Sequence, residues 1–325
     1  MASLDNPILP FIRAQGWILL DGGLASTLEA SGHDLNDDLW SAKLLLEDPE
    51  AIRAAHLAFL GAGADCIITS SYQATYDGFL ARGLSLQEIE GLLTLSVDIA
   101  VDSRDTFWSE KGNRPGRLRP LVAASIGPYG AFLSDGSEYT GDYDLDAQAL
   151  AAFHDSRWRV LASSRADLLA CETIPSRAEA EVLLGLLHDT PDTWAWMSFS
   201  CRDGAHLSDG TRLEQVAELC AGSPQVAAIG INCTHPVHIS SLIAEARKAR
   251  PKPILAYPNS GEPYDAVEKK WAPTPRAPDL ADLTEEWVEL GVSGVGGCCR
   301  VGPSTIAAMR TRLPRWDSEQ GPTSP

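Results

Sequence analysis

A single-domain α/β protein built as a (β/α)8 barrel is the fold class this sequence predicts, and three observations predict it. Eight short apolar runs recur from one end of the chain to the other. Each run is followed by a stretch with the spacing of an amphipathic helix. The length, 325 residues, accommodates one barrel of about 250 residues with insertions as readily as two domains of about 150. Units spread evenly over the whole length favour one domain.

The apolar runs are 17–20, 66–69, 121–125, 168–171, 194–199, 226–231, 254–257 and 292–297. They are short and apolar on both faces, the pattern of a parallel strand covered on both sides. The helical stretches between them are 49–62, 86–108, 147–163, 176–188, 211–220, 236–249, 279–290 and 303–313. In the first, Ile52, Ala55, Leu57, Phe59 and Leu60 supply the apolar positions. Ser176, three residues ahead of Glu179, has the form of a capping box. Pro236 and Pro303 stand where a helix tolerates a missing N–H, at its first position. Eight alternating strand and helix units require right-handed crossovers and a parallel sheet. Eight such units in this length favour a closed TIM barrel over an open doubly wound sheet. The barrel is expected over residues 1–315. Residues 316–325, rich in Ser, Pro, Gly and acid, read as a flexible tail.

Charge narrows the partners. There are 26 Lys and Arg against 44 Asp and Glu, a net charge of −18, which repels phosphate backbones and anionic lipid. No nucleic-acid partner and no membrane association are expected. The first ten residues lack a basic and apolar leader, and no apolar run approaches the ~18 residues of a membrane span. The seven cysteines read as reduced thiols of a cytoplasmic protein. Nothing in the sequence specifies an oligomeric state.

In a barrel the chemistry collects at the C-terminal ends of the strands. Asp21-Gly22-Gly23 follows the first strand, Ser70-Ser71-Tyr72-Gln73 the second and Ser125-Ile126-Gly127-Pro128 the third. Glu172-Thr173 follows the fourth strand, Ser200-Cys201 the fifth, Asn232-Cys233-Thr234 the sixth, Asn259-Ser260-Gly261-Glu262 the seventh and Cys298-Cys299-Arg300 the eighth. The tips of the sixth and eighth strands converge, so Cys233, Cys298 and Cys299 can form a three-thiolate site with one open position, which suits a catalytic Zn2+. The same residues also read as small buried side chains, or Cys298-Cys299 as a strained vicinal disulfide. Cys66, Cys171, Cys201 and Cys220 read as packing residues. Asp21 and Glu172 fit a general acid/base pair, a grip on a substrate ammonium, or, for Asp21, a cap on the Gly-Gly turn. His235 and His238, flanking Pro236, read as cap-region residues. Gly294-Val295-Gly296-Gly297 lacks the rest of any nucleotide-binding fingerprint.

Taken together these motifs resemble the homocysteine S-methyltransferases. The carriers are Leu20-Asp21-Gly22-Gly23, the Thr69–Thr75 run, Gly127-Pro128-Tyr129-Gly130 and Glu172-Thr173-Ile174-Pro175. Gly230-Ile231-Asn232-Cys233, the Tyr257–Glu262 run and Gly296-Gly297-Cys298-Cys299 complete them. The likeness extends from about Leu20 to Met309. It implies that Cys233, Cys298 and Cys299 are the ligands of one Zn2+ per chain and the catalytic centre. It implies that Asp21 and Glu172 bind the homocysteine amino group. Asn232 corresponds to the Asn beside the first zinc ligand. Ser71, Tyr72 and Gln73 stand in the segment facing both substrates, and Thr173 adjoins Glu172. One departure is Val301-Gly302 after Arg300, where the family often has two Thr.

The donor implied is a sulfonium. Betaine-using members tend to carry a Tyr after the Glu of strand four, and here Thr173 stands there, with Gln73 in another donor-side place. S-methylmethionine, with S-adenosylmethionine as the poorer donor, is therefore expected to methylate homocysteine to methionine. A betaine- or selenocysteine-using enzyme of the same family and a non-catalytic thiol-binding barrel are the alternatives. Trp40, Tyr129 and Tyr139 read first as packing residues and second as aromatic faces for a cation. Segments 127–143 and 260–278 read as lids over the site.

Overall fold

The computed structural model describes residues 5–35, 37, 39–262, 264–265, 270–271 and 279–313. Eight parallel strands form one sheet: β1 Ile18–Leu19, β2 Cys66–Ile68, β3 Leu121–Ile126, β4 Leu168–Ile174, β5 Ala195–Phe199, β6 Val226–Asn232, β7 Ile254–Tyr257 and β10 Gly294–Val295. Each pairs with its sequence neighbour from β2 to β7, then β10 pairs with both β7 and β1. A parallel bridge from Leu20 to Cys66 brings β1 against β2 and closes the ring. All eight expected strands are present. The first and last are only two residues long, because their rims turn at once into glycine-rich loops. Between β7 and β10 a two-residue ladder joins β8 Tyr264–Asp265 to β9 Lys270–Trp271.

The helices surround the ring: α4 Pro49–Ala62, α6 Leu86–Ser109, α8 Ala147–Ala162, α9 Arg177–His188, α10 Leu213–Ala221, α11 Ile239–Ala246, α12 Leu280–Glu289 and α13 Pro303–Arg312. These match the eight expected stretches, with α11 preceded by a 3-10 turn over Pro236–His238. Helices too short for a periodicity argument are added: α1 Leu9–Gln15, α2 Leu24–Ala30, α3 Leu44–Glu47, α5 Tyr76–Leu80 and α7 Tyr129–Leu133. Two apolar layers result. Outward strand residues such as Leu19, Val122, Leu169, Met197 and Ile229 pack on the helices. Inward residues fill the barrel, where Trp196 and Leu255 sit among Ala123, Ala170 and Ala228. Ile8 and Phe11, at the start of α1, pack into that inner layer from below, and Asn6 Nδ2 donates to Ala227 O over 2.9 Å. Asn6, Ile8 and Phe11 thus plug the bottom of the barrel. Each large apolar side chain so buried contributes roughly 1.5–3 kcal/mol.

Residues 316–325, expected as the tail, lie outside the described residues, as do 263, 266–269 and 272–278 of the second expected lid and the side chain of Trp40.

Candidate functional site

The top of the barrel opens into a cavity of about 110 Å3. Cys233, Cys298, Cys299, Glu172, Thr173, Tyr72 and Tyr139 line it, together with Glu138, Tyr257, Ser41 and the Gly22-Gly23 turn. Cys233 follows β6, and Cys298-Cys299 follow β10. Their three Sγ atoms lie within 4.8 Å of one another. Cys233 itself adopts the left-handed region, φ 46, as does Arg300 at φ 64. Non-glycine residues are held there only by their surroundings. A Cβ on Gly23 would stand 2.5 Å from Cys298 O, so only glycine lets the β1–α2 turn pass beneath the cysteines. Val301, where the family often has Thr, turns inward, and its carbonyl accepts from Gly23 N over 2.9 Å.

The donor set fits a soft metal. Zn–S bonds of about 2.3 Å set the edge of a sulfur tetrahedron near 3.8 Å, and Cys233 Sγ and Cys299 Sγ are 3.8 Å apart. Burial, followed by the nearby Glu138 carboxylate, pushes the Cys299 thiol up to about 12. Such a thiol stays protonated unless a cation is supplied to the site. Cys233 Sγ and Cys298 Sγ are in close contact, since the barrel brings the tips of β6 and β10 together across 65 positions of sequence. The form able to hold a metal is the one in which all three thiols are reduced. Cys66, Cys171, Cys201 and Cys220 are free and buried, as packing residues are.

The carboxylates occupy different depths. Glu172 faces the cavity. Ser125 Oγ donates to its Oε1, Tyr257 bonds it as well, and burial lifts its carboxyl to about 7. Asp21 lies just below, 1 % exposed. Its Oδ2 accepts from Ile68 N over 2.8 Å, and Oδ1 is buried without a partner. Burial raises Asp21 well above the usual range, and the Glu172 charge adds to the effect. Among the described residues no cation offsets either carboxylate.

Three other expected residues support the lining from behind. Asn232 is fully buried. Its Oδ1 accepts from Thr173 N and Ser198 Oγ, both over 2.8 Å, and its Nδ2 donates to Thr173 Oγ1 over 2.8 Å. It thereby clamps Thr173 at φ 61, where β4 slips register between Cys171 and Ile174. That kink presents Glu172 and Thr173 to the cavity. Ser71 Oγ donates to Ser125 O over 2.8 Å, and Gln73 Nε2 to Ala131 O over 2.7 Å. Tyr129 packs against Phe132, Tyr143 and Phe153 rather than facing the cavity. His235 caps the 3-10 turn, accepting from Val237 N, as a cap-region residue does.

Glu138 and Tyr257 were missed by sequence reasoning. Glu138 lies in the Gly- and Tyr-rich 127–143 segment, so the segment was legible while the residue was not. Tyr257 read as a core strand residue, and its hydroxyl does accept from Trp196 Nε1 over 3.1 Å inside the barrel.

Comparison with known proteins agrees with this geometry. The model of the family described as homocysteine S-methyltransferase matches residues 18–313. Homocysteine S-methyltransferase YbgG of Bacillus subtilis is 49 % identical over 301 residues, 93 % of this chain and 96 % of that one. A homocysteine S-methyltransferase of Escherichia coli is 47 % identical over 311 residues, 95 % and 99 % of the two chains. The metallated form of the homocysteine methyltransferase MmuM from Escherichia coli superposes with a TM-score of 0.85 at 44 % identity, covering 94 % of this chain and 99 % of that one. The chain belongs to the homocysteine S-methyltransferase family and is a methyltransferase.

Proposed function

We propose that this chain transfers a methyl group from a sulfonium, S-methylmethionine in preference to S-adenosylmethionine, to the thiol of homocysteine, giving methionine. The observation that carries the reading is the convergence of three cysteine sulfurs within 4.8 Å in a cavity that Glu172 also lines. Cys233, Cys298 and Cys299 would hold one Zn2+, whose chemistry is to make a fourth, substrate thiol available as a thiolate at neutral pH. A metallated relative of the same fold supports that assignment.

The chain's own residues do the rest. Glu172, with Asp21 below it, grips the homocysteine ammonium and turns the thiol toward the cysteines. Tyr72, Tyr139 and Tyr257 wall the cavity against water. The substrate thiolate attacks the donor methyl in line. A new S–CH3 bond forms, the donor's C–S bond breaks, and its electron pair returns to the donor sulfur, which leaves as a neutral thioether. No proton moves in that step, so no general base is needed, and the glycosidase-like reading of Asp21 and Glu172 falls away. Alignment of this kind supplies up to ~7–11 kcal/mol of effective concentration. A reducing, cytoplasmic setting suits the role, because the three thiols must stay unpaired to hold a metal.

The test is a donor screen on reduced, zinc-loaded protein with homocysteine. Methionine should form fastest from S-methylmethionine, more slowly from S-adenosylmethionine, and not from betaine. Cys298→Ser should lose most of its zinc and at least a thousandfold of its activity. Absence of transfer from either sulfonium, or full zinc and activity in the Ser variant, would overturn the reading.

A further inference from the structure

Two carboxylates, Glu172 and Glu138, line the cavity, and Asp21 is buried close to Glu172; the proposed function uses Glu172 and Asp21 for the homocysteine ammonium. The remaining one, Glu138, belongs to a short 3-10 turn, Ser137–Tyr139, in the segment between β3 and α8. Its Oε2 is buried and accepts no hydrogen bond. Its backbone is fixed, with Glu138 O accepting from Ser200 Oγ over 3.0 Å. Gly130 packs so closely beneath it that a Cβ there would stand 2.5 Å from Glu138 N. The carboxylate lines the same cavity as Cys299 and Tyr72. Burial lifts its own carboxyl to about 7; its own backbone N–H lowers it somewhat, the Asp135 charge adds to the rise, and no cation contributes. A partly buried carboxylate with one enclosed, unpartnered oxygen and no counter-ion among the described residues, lining the same cavity as the cysteines, is costly to ionise unless a ligand supplies the positive charge.

We propose that Glu138 is the counter-charge for the cationic methyl donor and sets the preference of the site for a sulfonium over a neutral thioether. This inference rests on the proposed function. The charge bookkeeping of the reaction gives it a specific signature. A positive sulfonium and a negative thiolate become two neutral thioethers, so the attraction between Glu138 and the donor is strongest before the reaction and fades along it. An interaction of that kind strengthens ground-state binding more than the transition state. It lowers the donor KM, does not raise kcat, and loosens its hold once the donor has become a neutral product.

The experiment is steady-state kinetics of the zinc-loaded wild type, Glu138→Gln and Glu138→Asp with S-methylmethionine, alongside inhibition by the neutral thioether methionine. In Glu138→Gln the donor KM should rise about ten- to hundredfold, the scale of losing one charged hydrogen bond. Its kcat should be no lower, and its homocysteine KM and zinc content should stay within twofold. The preference for the sulfonium over methionine should shrink by the same factor, and Glu138→Asp should retain part of it. An unchanged donor KM, a parallel rise in homocysteine KM, or a loss of kcat alone would overturn the proposal. If Glu138→Gln does not fold, Glu138→Asp carries the same comparison. Wild-type transfer from S-methylmethionine with an unaffected Glu138→Gln donor KM removes Glu138 alone, whereas no wild-type transfer from any sulfonium removes the underlying function.

Discussion

Glu172 owes its place in the cavity to a strained neighbour. Thr173 is β-branched and sits at φ 61, a conformation that costs of order 1–3 kcal/mol. The Asn232 side chain, spent entirely on Thr173 and Ser198, holds it there. A charge in so buried a position titrates late, and the carboxyl of Glu172 is lifted to about 7. Binding an ammonium requires the ionised form. The homocysteine KM should therefore rise as pH falls through about 7, and Glu172→Gln should show a KM raised about tenfold or more with that step removed. KM measured against pH for both proteins, at saturating donor, checks it. The sign for stability is opposite. The folded state holds this proton more tightly than the unfolded chain, so the ionised carboxylate costs stability as pH rises from about 4.5 to about 7.

At the scale of elements, the segment from Tyr129 to Tyr143 hangs on one buried residue of another helix. Glu179, fully buried at the start of α9, accepts from Tyr129 N over 2.7 Å and from the Tyr143 hydroxyl, and pairs with His154 Nε2 over 2.8 Å. Ser176 caps α9 through Glu179 N, as its position promised. The Glu179 side chain was expected to return to the cap, and it is used instead to tie down the expected lid. A capping pattern is local and legible, whereas the partners of Glu179 lie 25 to 50 positions away and have no local signature. Because α7 and the Glu138 turn are in contact at Gly130, Gly130→Ala should displace Glu138. We expect a donor KM several-fold to tenfold higher with zinc content unchanged, read by kinetics and metal analysis.

The whole molecule divides its labour between two faces. The top carries the cysteines and carboxylates. The bottom carries a buried cluster in which Asp65, fully buried, takes Gln15 Nε2 at 2.8 Å, Leu19 N at 3.2 Å and Arg310 Nη1 at 2.9 Å. That carboxylate joins the first strand, the second strand and the last helix where the ring closes. Asp65→Ala removes the carboxylate partner of Arg310 and Arg117 and should cost about 3–5 kcal/mol. Denaturant unfolding should register the loss while the KM values of both substrates stay unchanged. The sequence by itself determined the barrel, since two-sided apolar runs alternating with amphipathic helices have few other solutions, and it placed Cys233, Cys298, Cys299, Asp21 and Glu172 at strand ends. It could not show that Asn232, Ser71 and Gln73 support the lining from behind, that α1 plugs the barrel, or that Glu138 lines the cavity. Strand periodicity says which residues end at the rim. Depth, side-chain direction and the company of a loop residue depend on contacts between segments far apart in the chain, and only the closed tertiary structure decides them.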